Sequence, residues 1–196
     1  MQKNFRLVFG NSFSKEKEKA MLYQSWKNLL LTAFETLRFP KHGKRYLEEL
    51  VLNNYYYIET SVKENKGLIL LAPHTGSFFM GAAYLAQRFP VSVMIRPPRN
   101  TQLQNLLEDS FNSMNFETID RVGGMHKAVG AIRNKRILVI AMDQHAGNHG
   151  IWIDFFGQEA STYPTAAALA VRYDVPVHIG YLHRHPNGTN EAWTTP

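Results

Sequence analysis

The fold of this 196-residue chain follows from one stretch, Gly67-Leu-Ile-Leu-Leu-Ala-Pro73, and from the four residues after it, His74-Thr-Gly-Ser77. The apolar run has the length of a strand, and its lack of alternation is typical of a strand that is buried on both faces. The small residues after it predict a turn, and the amphipathic residues 78–89 predict a helix. His74 is therefore expected at the carboxyl end of a buried strand, where α/β proteins hold their ligands.

The same alternation of short apolar runs and amphipathic runs continues along most of the chain. Strands are predicted at residues 56–60, 68–72, 91–95, 137–142 and 177–181, and helices at residues 77–88, 101–114, 125–134 and 162–173. Continuous apolar strands that alternate with helices are typical of parallel sheets covered on both sides. The sequence therefore predicts an α/β fold with a mostly parallel central sheet flanked by helices.

A leading helical segment, residues 1–52, precedes a sheet core at residues 53–196, and both belong to one expected domain. Apolar residues at helical spacing predict a helix over residues 14–37, which Phe39-Pro40 is expected to end, and a short helix over residues 44–51. The first helix has a wide apolar stripe that includes Tyr23 and Trp26. We expect this stripe to pack on the core rather than to lie on a membrane surface. The chain is also expected to lack a carboxyl-terminal part, because its last residues show no pattern that ends an element.

Composition limits the possible chemistry. The formal net charge of +6 favours an anionic partner, such as phospholipid headgroups, a phosphorylated substrate, an acidic carrier protein or nucleic acid. Cysteine is absent, which excludes disulfides, thiolate zinc sites and a cysteine nucleophile. No apolar stretch reaches the roughly 18–20 residues that span a bilayer. No recognised nucleic-acid motif accompanies the basic charge.

Three predicted strands end in polar groups that could act together. His74 follows the first of them, Arg96 the next, and Asp143-Gln144 a third. If the strands are parallel, these groups converge on one cleft. His145 and His149 could complete a metal site with Asp143, but their spacing in a glycine-containing loop makes this a weak signal, and no metal is expected.

Four motifs occur along the chain in the order His74-Thr-Gly-Ser77, Arg96-Pro97-x-x-Asn100, Asp143-Gln144 and Phe155-Phe156-Gly157. In their order and spacing they resemble the motifs of the lipid A biosynthesis acyltransferases, the lauroyl and myristoyl transferases of lipopolysaccharide assembly, which have a glycerolipid acyltransferase-like fold. The similarity also includes the leading helix with Trp26, residues 161–170 and residues 175–180. It therefore extends over most of the chain.

The resemblance implies transfer of a fatty acyl group from acyl carrier protein, or from acyl-CoA, to a hydroxyl of a membrane glycolipid. It implies no cofactor, and a location on the cytoplasmic face of the bacterial inner membrane, either peripheral or anchored by a segment outside this sequence. An anionic membrane surface is an expected partner, and nucleic acid is not.

The resemblance also assigns roles to individual residues. His74 matches the catalytic base, and Arg96 and Asn100 match a motif near the substrate headgroup. Gln144 and Phe156 lie in segments that shape the cleft. Apart from the resemblance, the chemistry itself requires an oxyanion site, and either backbone N–H groups at the start of the helix after Gly76 and Ser77 or the cation of Arg96 could provide it.

The chain departs from the family pattern at the acid that should follow the histidine. That position is occupied by Phe79, and positions for an arginine and a glycine are occupied by Phe111 and Asn115. No Asp or Glu occurs between Glu64 and Glu108. An imidazole without an orienting carboxylate is a poor base. We therefore predict that Asp143, from a neighbouring strand end, reaches His74 and replaces the missing acid.

Two other functions fit the residues. The apolar replacements Phe79 and Phe111 suit a relative that binds lipid without catalysis. A hydrolase using His74 and Asp143 is the other alternative, although the chain has no Gly-x-Ser-x-Gly nucleophile motif.

Overall fold

The computed structural model describes residues 1–64 and 67–196. Its strands are β1 (Val51–Asn53), β2 (Leu68–Leu71), β3 (Val91–Ile95), β4 (Glu117–Asp120), β5 (Ile137–Ile140), β6 (Ile151–Phe155), β7 (Gln158–Thr162), β8 (Val177–Arg184) and β9 (Asn190–Thr195). Its helices are α1 (Gln2–Phe9), α2 (Lys15–Glu48), α3 (Tyr56–Lys63), α4 (Phe78–Ala86), α5 (Thr101–Ser113), α6 (Met125–Arg133) and α7 (Thr165–Tyr173).

A mostly parallel sheet is the centre of the fold. Within the described residues it has seven strands in the order β1-β9-β8-β2-β5-β3-β4, and β8 and β9 are its antiparallel pair. The strands β6 and β7 form a separate antiparallel hairpin between β5 and α7. The predicted α/β class and mostly parallel sheet are confirmed.

The sheet has a hydrophobic core on each of its two faces. Along β2, Leu68 and Leu70 belong to the core under α4 and α5, whereas Ile69 belongs to the core under α6 and α7. Successive residues of a strand point to opposite faces, so a strand covered on both sides must be apolar throughout. This explains why the apolar run shows no alternation.

The strand register brings two pairs of residues together at the carboxyl edge of the sheet. Leu71 of β2 is level with Ile140 of β5, so His74 and Asp143 are both the third residue beyond a matched pair. Ile95 of β3 is level with Asp120 of β4, so Arg96 and Arg121 both follow directly. Parallel neighbours lie about 4.8 Å apart, which makes contact between side chains at equivalent positions possible.

The expected end of the first helix at Phe39-Pro40 is wrong, because α2 continues through Pro40 to Glu48. Proline removes one backbone hydrogen bond from a helix, but this proline lies on the exposed side. Phe39 and Gly43, on either side of it, are buried against the protein. Packing on both sides of Pro40 therefore holds the helix together, and the predicted short helix at residues 44–51 is the last part of α2 followed by β1.

The strand predicted at residues 56–60 is also wrong, because this segment is helix α3. Ile58 is buried in the core under α4 and α5, and Tyr55 and Val62 pack against that core. The spacing of these three residues is helical, and it prevails over the preference of the tyrosine run for a strand.

The apolar stripe of α2 does not pack on the core as expected. Tyr23, Trp26, Leu30 and Phe34 are all exposed, whereas the buried positions of the helix include Thr32, a polar residue. Within the described residues, no helix combines the length and the apolar character that crossing a bilayer requires.

Candidate functional site

His74 and Asp143 meet directly at the carboxyl edge of the sheet. The ring Nδ1 of His74 lies 2.7 Å from Oδ1 of Asp143. The backbone N–H of His74 donates to the other carboxylate oxygen, Oδ2, at 2.8 Å. Both oxygens of the carboxylate are thus used to hold one residue, and the predicted contact between the two strand ends is present.

The state of Asp143 decides which nitrogen of the imidazole is free. Burial raises the pKa of the Asp143 carboxyl, but the hydrogen bonds from the His74 ring and backbone, together with the charge of the ring, outweigh burial and hold this pKa below its usual value. The carboxylate is therefore ionised near neutral pH and only accepts hydrogen bonds. In the neutral form of the ring, Nδ1 of His74 then carries the proton, and Nε2 has the lone pair that a base requires.

The loop that carries His74 is held in place by contacts with β8 and with α2. Gly76 has φ of +54°, and a Cβ on this residue would lie 2.5 Å from the carbonyl oxygen of Leu182. The carbonyl of Gly76 accepts a 2.6 Å hydrogen bond from the hydroxyl of Thr32. Ser77 is buried at the start of α4. Gly76 is thus required both for its backbone angle and for the close approach to β8.

A cavity of about 410 Å³ opens beside His74, between the sheet and helices α4 and α5. Its volume falls within the roughly 300–1,000 Å³ of small-ligand sites. Four polar residues that line it each follow a different strand: His74, Arg96, Arg121 and Gln144. Apolar side chains line the rest, including Phe79, Leu107, Phe111 and Val139. The cavity is therefore polar at the strand ends and apolar towards the helices.

Phe79, at the position where the family acid was expected, belongs to the apolar part of this cavity. The centroid of its ring lies 4.9 Å from that of the Phe111 ring, and the centroids of the Phe111 and Phe116 rings lie 5.7 Å apart. The ring of the neighbouring residue, Phe78, packs in a T-shaped arrangement with the His74 ring, with 4.9 Å between the ring centroids. Aromatic packing thus replaces a charged group on α4, and the carboxylate beside His74 comes from the end of β5 instead.

Arg121 is a cavity residue that the sequence alone did not indicate. Its backbone N–H donates to the carbonyl of Ile95, and its guanidinium lies 4.5 Å from the centre of the Tyr163 ring. The residue follows β4, which was not predicted because only Ile119 of that strand is buried. Because the sequence pattern did not reveal β4, it gave no signal that Arg121 follows a strand.

The remaining predicted site residues occupy different positions. Gln144 lines the cavity, and its amide nitrogen lies 3.5 Å from Nε2 of His74. Asn100 accepts a hydrogen bond from the backbone of Leu103 and caps the start of α5. Phe156 is exposed in the turn of the β6–β7 hairpin, with φ of +55°. Asn100 and Phe156 both lie outside the described lining of the cavity, and their substrate contacts stay predictions.

The loop with His145 and His149 shows how the hairpin is joined to the site. The centroid of the His145 ring lies 6.2 Å from that of the Trp152 ring on β6.

In residues 1–64 and 67–196, no group of three His, Asp or Glu side chains is placed to hold a metal ion.

Comparison with known proteins identifies the family of the chain as a whole. The model of the family "Bacterial lipid A biosynthesis acyltransferase" matches residues 1–194. Phosphatidylinositol mannoside acyltransferases of two Mycobacterium tuberculosis strains, CDC 1551 / Oshkosh and ATCC 25618 / H37Rv, are each 24% identical over 164 residues. The alignment covers 76% of this chain and 51% of each relative, so the chain spans about half the length of these relatives. The match over nearly all of its residues shows that the chain belongs to the bacterial lipid A biosynthesis acyltransferase family.

Proposed function

We propose that this chain transfers a fatty acyl group from a thioester donor to a hydroxyl of a membrane glycolipid, with His74 as base and Asp143 as its orienting acid. The observation that carries the proposal is the 2.7 Å contact between His74 Nδ1 and Asp143 Oδ1 beside a cavity with an apolar interior. Family membership supports the reaction class. The proposed donor is acyl carrier protein or acyl-CoA. The proposed acceptor is a lipid A precursor, which the family description names, or a phosphatidylinositol mannoside, which the names of the two relatives give.

The chemistry requires a base and an oxyanion site. Nε2 of His74 takes the proton of the acceptor hydroxyl, whose oxygen forms a bond to the thioester carbonyl carbon. The C–S bond then breaks, and the departing thiolate takes this proton from the imidazolium, which returns the ring to its neutral form. Asp143 stabilises the imidazolium while it exists, as in other histidine–carboxylate pairs.

Two features of the site suit negative charge. One concerns the charge that develops on the thioester carbonyl oxygen during the reaction, and the other concerns the permanent charge of a phosphate group. The first N–H groups of α4, after Gly76 and Ser77, have no partner within the helix and point towards its amino-terminal end, where an oxyanion is stabilised. Arg96 and Arg121 are both among the residues that line the cavity. Guanidinium groups bind phosphate well, so this pair fits the phosphate of a carrier-bound donor or of a phosphorylated lipid.

Transfer of label tests the proposal directly. The chain is incubated with labelled acyl-acyl carrier protein or labelled acyl-CoA and with either glycolipid dispersed in detergent. We expect labelled glycolipid from the wild-type chain and only a small residual rate of transfer from His74→Ala. Folded protein without transfer from either donor would contradict the proposal and favour the alternative of a lipid-binding module. Release of free fatty acid in place of transfer would favour the hydrolase.

Acyl chain length is expected to depend on Phe111. This residue forms part of the apolar end of the cavity, so Phe111→Leu should make room for longer acyl chains. One methylene in a hydrophobic pocket changes selectivity by about 10-fold or more. We therefore expect the ratio of kcat/KM for longer over shorter donors to rise about 10-fold, measured with a series of acyl donors.

Phe116→Leu is the matched control for this prediction. Phe116 belongs to the same aromatic cluster and is equally buried, but it does not contribute to the described cavity lining. Its substitution should lower stability in a similar way and leave the length preference unchanged. Equal effects of the two substitutions on selectivity would show that the acyl chain does not reach Phe111.

A further inference from the structure

The outer face of α2 is an apolar surface without a partner in the described structure. Tyr23, Trp26, Leu30 and Phe34 repeat at helical spacing, and between 53% and 70% of each residue is exposed. A helix of a water-soluble protein normally has its large apolar side chains on the buried face. Contiguous exposed apolar residues of this size indicate a binding surface.

The opposite face of α2 shows that the exposure does not result from a helix packed loosely or in the wrong orientation. Its buried residues include Thr32, Thr36 and Gly43, and specific contacts fix them. Thr32 donates to the Gly76 carbonyl, and the carboxylate of Glu35 pairs with the guanidinium of Arg184 on β8. The polar face is therefore the one that the fold selects, and the aromatic face is left outside.

The charge of the same segment identifies the chemistry of the partner. Residues 1–49 contain ten Lys and Arg and five Glu, a surplus of five positive charges out of the six of the whole chain. By their spacing, Lys19, Lys27 and Lys41 lie on the side of α2 that carries the aromatic residues. Basic residues around exposed aromatic and leucine side chains are typical of helices that lie on anionic lipid surfaces. An apolar protein partner alone would not require this surplus.

We propose that the outer face of α2 docks on an anionic lipid surface, with Tyr23, Trp26, Leu30 and Phe34 inserted among the headgroups. This extends the proposed function by stating how the acceptor reaches the site. The residues that dock and the residue that holds the catalytic loop, Thr32, lie on opposite sides of the same helical turns. A helix is about 10 Å across, so docking holds the His74 loop about one helix diameter from the lipid headgroups, where the hydroxyls of a glycolipid lie.

Flotation with lipid vesicles tests this proposal without reference to activity. The chain is mixed with vesicles of phosphatidylglycerol and phosphatidylcholine, or of phosphatidylcholine alone, and the floating fraction is measured. We expect the wild-type chain to float with the anionic vesicles, and to float less as salt is added. The variant Trp26→Ser/Leu30→Ser/Phe34→Ser should lose about tenfold or more in apparent affinity.

Val171→Ser is the control for loss of an exposed apolar side chain. Val171 is 86% exposed on α7, at a distance in sequence from α2, and its substitution should leave flotation unchanged. Melting curves of all variants establish that they are folded. Sedimentation is measured in parallel to detect dimers. If the wild-type chain is a dimer, and the triple variant is a monomer with unchanged flotation, the face is an interface between two copies and the proposal is overturned. Absence of flotation, or equal flotation of the triple variant, would overturn it as well.

The failures of the two proposals can be told apart. His74→Ala should float like the wild-type chain, whatever the outcome of the transfer assay. The triple variant should transfer acyl groups to a detergent-dispersed glycolipid and lose transfer to the same glycolipid in anionic vesicles. Normal flotation without acyl transfer would contradict only the proposed function. Acyl transfer without flotation would contradict only the proposed docking surface.

Discussion

Asp143→Asn is expected to lower kcat for acyl transfer by a factor of about 10⁴, the effect seen when the carboxylate of a serine protease triad is changed to an amide. The reason is the tautomer of His74. The carboxylate of Asp143 accepts a hydrogen bond from Nδ1 and so leaves Nε2 without a proton. The amide nitrogen of asparagine donates instead, which favours the tautomer with the proton on Nε2. That tautomer cannot take a proton from the acceptor hydroxyl.

The control for this substitution is Asp154→Asn. Asp154 lies in the exposed hairpin strand β6, so the change in net charge is the same and the site is untouched. We expect its kcat to remain at the wild-type value. Transfer is measured with labelled donor at saturating acceptor, and thermal melting shows that both variants are folded. A fall of less than about 10-fold for Asp143→Asn would mean that this carboxylate does not orient the base.

The largest expected effect on stability comes from Glu35→Ala, which should lower the free energy of unfolding by about 3–5 kcal/mol. Glu35 on α2 and Arg184 on β8 form a two-pronged pair, and their side chains are only 17% and 5% exposed. Removal of the carboxylate leaves a buried guanidinium without its counter-ion. An uncompensated buried charge is far more costly than the loss of an exposed pair.

Glu48→Ala is the matched control on the same helix. Glu48 pairs with Lys44 at 3.9 Å, and these side chains are 64% and 91% exposed. Such a pair contributes little, so the free energy of unfolding should change by less than about 0.5 kcal/mol. Urea unfolding curves measure both variants. Similar small changes in the two would show that the Glu35–Arg184 pair is not a significant constraint on α2.

The central part of the fold was predictable because its strands are buried on both faces. Residues 91–95 form β3 as predicted, and the strands around residues 68–72 and 137–142 differ from the prediction only at their ends. Apart from Ser92 in β3, these strands are apolar throughout, which few other structures accommodate. Their parallel arrangement also brought His74 and Asp143 together, as the sequence indicated.

The edges of the fold were not predictable by the same reasoning. The strand β9, residues 190–195, pairs with β8 on one side and β1 on the other, yet its sequence has polar residues at four of six positions. The hairpin strand β6 has no buried residue at all. Strands of this kind are determined by pairing with neighbours far away in sequence, and a local pattern does not report such pairing.

The apolar face of α2 shows a different limit of sequence patterns. Periodicity correctly indicated a helix with an apolar stripe that includes Trp26, but it contains no information on which side faces the protein. The answer depends on contacts such as those of Thr32 with Gly76 and of Glu35 with Arg184, which join residues more than 40 positions apart. The expectation of core packing failed because the polar side of α2 has the specific partners.

The central claim is that His74 and Asp143 act as one catalytic unit, and a double-mutant cycle of acyl transfer tests it most directly. The rate constant kcat is measured for the wild-type chain, His74→Ala, Asp143→Asn and the double variant under identical conditions. Residues that act as a unit have effects that do not multiply. We expect the double variant to be no slower than His74→Ala alone. A double variant in which the two losses multiply would contradict the claim, because the two residues would then contribute independently.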